Sequence, residues 1–315
     1  MLSDPFIVTE TGTGEKFIQT GAETGNTVLG LPNPMSQQDI ERLHLDRYRE
    51  DYFALHGRFP FRSALEGSNP PDFVVTSANG DVWGLDCAVF ADPSRRMAAD
   101  MMRIFRKKLR LTAGKRDFSR IRGCQVSVHF SKSMDALPPR PKDRDAVIES
   151  LLDAMATCPY EREAWIRLNA EIAWNPDRMI GSWPKSDYSL DNGAGFYVNL
   201  RYSDDESRYL PMGFEVRLNM QSTDSVSGLF ARLNKLVTDH DKAGIQHLLI
   251  TAGGPDQHAR CYSEENMTVR FLLDEHSDLQ PEAKGLKAKH LRRVTIHSWG
   301  SKTIVDLPLT RVSHT

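Results

Sequence analysis

The sequence predicts an α/β fold: a central mixed β-sheet that contains an antiparallel hairpin and is flanked by helices. Three stretches carry that expectation. Residues 69–75 and 82–90 are rich in β-branched and aromatic side chains and enclose Ala78-Asn79-Gly80, a strong hairpin signal. Residues 38–55 place Leu45, Tyr48, Tyr52 and Leu55 on one helical stripe behind Ser36, a suitable N-cap. Residues 225–243 read as a helix that feeds the apolar strand 246–251.

The hairpin fixes where two carboxylates fall. A two-residue Asn-Gly loop would pair Phe73 with Asp86 and set Asp72 and Asp86 on opposite faces. A three-residue loop, with Gly80 left-handed in a bulge, sets Asp72 directly opposite Asp86, with Cβ atoms roughly 4.5–5.5 Å apart. The second strand favours the longer loop. Trp83, Leu85, Cys87 and Val89 form a wholly apolar face, which leaves Asp86 on the other with Gly84 and Ala88. Two like charges that close call for a cation or a proton between them.

Pro71-Asp72, followed after the hairpin by Asp86-Cys87-Ala88, resembles the core motif of the PD-(D/E)XK, or restriction-endonuclease-like, nucleases. The resemblance implies a restriction-endonuclease-like core in which Asp72 and Asp86 bind Mg²⁺ (or Mn²⁺). It also implies a lysine two residues after Asp86 that helps activate water, and this chain has Ala88 there. Nucleases of this family often carry an acidic residue on the helix before the hairpin, which makes Glu50 a further candidate ligand. A helix with lysines before an inner strand is a further point of similarity. Lys235 and Lys242 are candidates for the missing ammonium, Lys235 the better placed of the two. The implied activity is metal-dependent hydrolysis of phosphodiester bonds in nucleic acid, with DNA the expected substrate, in bacterial defence or on a mobile element. Ala88 keeps open an alternative, a nuclease-like fold without catalysis that binds nucleic acid or a protein. A third reading is an unrelated protein whose basic helix is an assembly surface.

Charge distribution supports a polyanion partner where overall charge does not. The chain has 315 residues and a formal net charge of −2. Yet residues 94–122 carry eleven Lys and Arg against only Asp100 and Asp117. Met97, Met101, Ile104, Phe105 and the stem of Lys108 follow helical spacing and are expected to face the sheet. Arg96, Arg103, Lys107 and Arg110 fall on one stripe away from that face. Such a stripe can hold a phosphate backbone while a metal acts on one phosphate.

The remaining signals are organisational. Residues 1–35 read as an extended arm that packs on the domain or on another subunit, so a homodimer is one arrangement they fit. Residues 36–315 read as a single domain with an insertion at about 131–220. In its pattern-poor part, 159–192, stand Trp165, Trp174 and Trp183. Strands are expected at 124–130, 195–202, 209–218, 294–299 and 303–307, and a helix at 143–156. The four cysteines lie far apart without a CxxC pair, which points to a reducing compartment rather than a disulfide frame or structural zinc. No basic-then-apolar leader and no membrane-length apolar run is visible, so a cytoplasmic protein is expected.

Overall fold

Taken in chain order, short strands come first in the computed structural model: β1 (Ile7–Glu10), β2 (Lys16–Thr20) and β3 (Asn26–Thr27). Then follow α1 (Gln37–His56), β4 (Ser63–Glu66), β5 (Phe73–Thr76), β6 (Val82–Val89) and α2 (Pro93–Thr112). The middle of the chain holds β7 (Cys124–His129), α3 (Arg144–Ala156), β8 (Tyr197–Tyr202), β9 (Glu215–Leu218) and β10 (Ser222–Ser225). Next come α4 (Val226–His240), β11 (Ile245–Ala252), β12 (Arg260–Cys261) and α5 (Ser263–Glu275). The chain closes with β13 (Leu286–Ala288), β14 (Arg293–Ser298), β15 (Thr303–Asp306) and β16 (Leu309–Arg311). The structure describes residues 7–10, 12, 16–20, 26–68, 70–91, 93–112, 115–119, 124–129, 144–156, 197–202, 215–218, 222–275 and 285–311.

The chain divides into two compact units, 1–92 with 223–315, and 93–222. The second unit therefore begins well before the insertion expected at 131–220, and it includes the basic helix α2. Arg120, Arg122, Trp165, Trp174 and Trp183 lie outside the described residues.

In the first unit the main sheet has six strands in the order β15-β14-β11-β6-β5-β4. It is mixed: β4, β5 and β6 are antiparallel neighbours, β11 runs parallel to both β6 and β14, and β15 is antiparallel to β14. Parallel neighbours need a crossover, and α4 leads directly into β11. The expected arm contributes strands. β1 and β2 join β10 in a small sheet, and β3 pairs with β12.

Two apolar layers sandwich this sheet. On one face Leu45 and Tyr48 of α1 pack with Phe61, Phe73, Val75, Leu85, Cys87 and Leu249. On the other, Leu229, Leu233 and Val237 of α4 and Val269 and Leu272 of α5 pack over Ala88, Leu248, Ile250, Val294 and Ile296. The split sends alternate residues of β6 to opposite layers, as a period of two requires. Leu85 and Cys87 face α1, whereas Ala88 belongs to the layer under α4.

Local chemistry explains the ends of α1. Ser36 Oγ accepts from Asp39 N–H while the Asp39 carboxylate accepts from Ser36 N–H, a capping box. Gly57, left-handed at φ 67°, ends the helix. The expected stripe is realised at Leu45, Tyr48 and Tyr52. Leu55 is exposed, and Ile40, His44 and Asp51 are buried in addition.

The second unit contains a three-stranded sheet, β8-β7-β9, with β8 antiparallel and β9 parallel to β7. Its helices α2 and α3 are joined by ions. Lys108 Nζ bonds Glu149 at 3.1 Å, and Arg116 bonds Glu149 at 2.8 Å and Asp153 at 2.9 Å. Among the described residues no helix is long and apolar enough to cross a membrane.

Candidate functional site

The hairpin adopts the three-residue loop. Phe73 pairs with Leu85 and Thr76 with Val82. Ser77 N–H donates to Asp81 O at 2.8 Å, which leaves Ala78, Asn79 and Gly80 in the loop, with Gly80 at φ 90°. A positive φ there is what a bulged turn asks of glycine. Extending the register by one residue brings Asp72 opposite Asp86.

Asp72 is held from three directions. Its carbonyl accepts from Gly67 N–H at 2.8 Å, which prolongs the β4–β5 ladder. Its N–H donates to Asp86 Oδ1 at 3.1 Å, and its Oδ2 accepts from Cys87 N–H at 2.8 Å. The two acids are thus cross-braced: each carboxylate takes a main-chain N–H from the opposite strand. Such bonds orient the oxygens and offset the cost of removing charge from water.

Asp86 is only 4 % exposed, so its second oxygen needs a partner as well. His240, the last residue of α4, supplies one: Nδ1 lies 3.0 Å from Asp86 Oδ2. An ionised carboxylate can only accept, so Nδ1 carries the proton in this contact. Beside Asp86, Gly84 N–H donates to Gln246 Oε1 at 2.7 Å, where the β6–β11 register shifts between Ile245 and His247.

The electrostatics are those of a crowded set of acids. Burial raises the pKa of Asp72, and the charge of Asp86 adds to it, while Cys87 N–H, His240 and Lys242 pull the other way. Burial likewise raises Glu41, with Asp72 and Asp86 contributing; a bond from Gln37 and the charge of His240 oppose it. The Cys87 thiol is pushed far up, first by burial and then by these carboxylates. It is an inert apolar group rather than a nucleophile.

Two expected residues stand elsewhere. Glu50 is 70 % exposed on α1 and pairs with Arg47 at 3.7 Å. Glu41, nearer the helix start, is the acid of α1 that interacts with Asp72 and Asp86. Lys235 is 74 % exposed and bound to Asp239 at 2.6 Å. Among the described residues, Lys242, which lies beyond the end of α4, is a lysine whose charge lowers the pKa of Asp72. Ala88 is 6 % exposed within the apolar layer, with no ammonium at its position.

The basic stripe belongs to the other unit. Arg103, Lys107 and Arg110 are exposed on α2, and Arg103 approaches Asp100 at 3.8 Å. Arg96 is half-buried, and Lys108 is engaged by Asp145 and Glu149.

Among the described residues, the carboxylates of Asp72 and Asp86 are the pair that could hold a divalent cation. Asp72 Oδ1 takes no hydrogen bond among the described residues, and each bonded oxygen keeps a further lone pair. Among the described residues no three His, Cys, Asp or Glu side chains form a ready-made metal cage. Two carboxylates still fit Mg²⁺, which is commonly bound by one or two of them, with waters and substrate phosphates filling the octahedron. Comparison with protein-family models, curated proteins and solved structures finds no match.

Proposed function

We propose that this chain is a metal-dependent endonuclease on a restriction-endonuclease-like core, hydrolysing phosphodiester bonds of nucleic acid, with DNA as the substrate. The observation that carries the reading is the cross-braced pair Asp72–Asp86 on adjacent strands of the hairpin. The order of elements supports it: helix α1, three antiparallel strands, then helix α4 and a strand parallel to β6. The exposed cations of α2 suit a phosphate backbone.

Asp72 and Asp86 would hold Mg²⁺ or Mn²⁺, which supplies charge stabilisation at the phosphate and lowers the pKa of bound water. The chain's own groups do the rest. The N–H groups of Asp72 and Cys87 fix the carboxylate oxygens. His240 keeps Asp86 Oδ2 in place, and Glu41 adds a carboxyl whose pKa is raised by burial and by the two acids.

A second reading, a nuclease-like module that binds without cutting, draws on Ala88, buried where the family has its lysine. Incubation of plasmid and single-stranded DNA with the full chain in Mg²⁺ or Mn²⁺ separates the two. Metal-dependent cleavage supports the nuclease. No cleavage, with salt-dependent binding retained in EDTA, replaces it with the binding module.

A further inference from the structure

Asp241, between His240 and Lys242, makes three main-chain bonds with a distant loop. Its Oδ2 accepts from Lys289 N–H at 2.5 Å, and its Oδ1 accepts from His290 N–H at 2.7 Å and Leu291 N–H at 2.9 Å. Three consecutive amides converging on one carboxylate form an anion-binding nest filled from within the chain. The loop that provides them is itself anchored: Leu291 is buried, and Arg292 N–H donates to Gln246 O at 2.8 Å. The turn is further closed by Lys242 N–H on His240 O at 2.9 Å and by Ile245 N–H on Lys242 O at 3.1 Å. On its far side, Gly244 O sits where any side chain at Gly84 would have to go. The end of α4 is therefore locked against the strand that carries Asp86.

We infer that the turn His240-Asp241-Lys242 forms the donor side of the proposed site, in place of the lysine that the strand lacks at Ala88, and that Asp241 is its positioning residue. The inference rests on the nuclease reading for what the donors act upon. His240 delivers its Nδ1–H to Asp86. Lys242 follows two residues on, its N–H on His240 O at 2.9 Å and its side chain exposed at the same end of α4, so it can offset charge developing on a phosphate held at the acids. Asp241 touches neither acid. It fixes the backbone between the two donors, and both depend on it for their place.

Three variants of the full chain, Asp241→Ala, Asp241→Asn and Lys242→Ala, test this with two readouts. Imidazole ¹H–¹⁵N NMR, assigned with His240→Gln, reports whether the His240 proton stays on a carboxylate. Steady-state cleavage of duplex DNA in Mn²⁺ reports kcat and KM. Asp241→Ala loses the hydrogen-bonded His240 signal, whereas Lys242→Ala keeps it. Both lower kcat on the order of 10- to 100-fold with little change in KM. Asp241→Asn, which keeps an oxygen for His290 and Leu291, restores most of the signal and the rate. A wild-type His240 signal in Asp241→Ala overturns the positioning role. A wild-type kcat in Lys242→Ala overturns the donor side. If the wild-type chain cleaves nothing, the nuclease reading falls and the donor side with it, and the NMR signal alone decides whether Asp241 positions the turn.

Discussion

The main-chain N–H of Asp72 donates to Asp86 Oδ1 while the N–H of Cys87 donates to Asp72 Oδ2, so two acids on neighbouring strands hold one another's carboxylates. Holding them has a cost. Burial and mutual repulsion raise the pKa of Asp72, so the ionised form is less stable folded than unfolded. That penalty is present at pH values above the folded pKa and disappears as the pH falls below the unfolded value near 3.8. Asp72→Asn removes the charge and keeps an oxygen for Cys87 N–H. It should raise the urea midpoint at pH 7 while abolishing cleavage, a trade common at functional sites. A lowered midpoint would mean that Asp72 is stabilising where it stands.

His247 makes the opposite pH signature. It is buried on the α1 side of the sheet, with Nε2 2.9 Å from Thr295 Oγ1. Burial first, then Arg293, lowers its pKa from 6.5 to about 3, against a contrary pull from Asp306. The unfolded chain therefore takes up a proton that the folded chain refuses. The stability this neutral imidazole contributes is complete above pH 6.5 and is lost as the pH falls toward 3, at up to about 1.4 kcal/mol per pH unit. His297, lowered by burial despite Asp51, acts in the same sense. Urea titrations from pH 7.5 to 4.5 should show a shallower loss in His247→Gln than in the wild type. Equal slopes would remove His247 from the acid response.

Gly84 is where the hairpin meets the α4–β11 turn. A Cβ there would lie 2.1 Å from Gly244 O and 3.0 Å from the Pro71 side chain. Neither backbone can yield without moving Asp86, two residues on, or Asp72, next to Pro71. Gly84→Ala should lower stability by about 1–3 kcal/mol, the range of an overpacked core, and lower kcat as well. Thermal melts and cleavage rates equal to wild type would show that the packing there is loose.

The cations of α2 make a binding test independent of the acids. Replacing Arg103, Lys107 and Arg110 together with Gln should weaken DNA binding for all sequences. The slope of log affinity against log salt should become shallower by about 0.9 for each duplex phosphate that the helix no longer neutralises. Unchanged affinity and slope would make this stripe an ordinary solvated helix face.

The hairpin was the most legible part of the chain. Asn79-Gly80 and the apolar alternation from Trp83 to Val89 contain the register that places Asp72 opposite Asp86, since turn length and strand period are local. The cap at Ser36 and the strand after α4 were legible for the same reason. Tertiary proximity was not. Glu41 and Glu50 both lie off the apolar stripe, and only the packing of α1 against β6 distinguishes them. Lys235 and Lys242 share a helical face only if the helix runs past both, and α4 stops at His240. His240 and Asp241 carry no motif, and their partners lie 154 and about 50 residues away in sequence. Helix α5 has a weakly periodic sequence, and the arm strands are only two to five residues long. Of the two breaks that divide the chain, the one at 92 coincides with the start of the basic segment, whereas the one at 223 follows packing that composition does not mark.

The most direct test of the central claim compares wild type and Asp86→Asn on supercoiled plasmid in Mn²⁺, with DNA affinity measured in parallel in EDTA. Asn keeps an oxygen for Asp72 N–H but loses the charge that a cation needs. Nicking by the wild type, no nicking by Asp86→Asn, and equal or slightly tighter DNA binding by the variant is the predicted result. Wild-type nicking that survives in Asp86→Asn, or its absence in both with either metal, would contradict a cation site at Asp72 and Asp86.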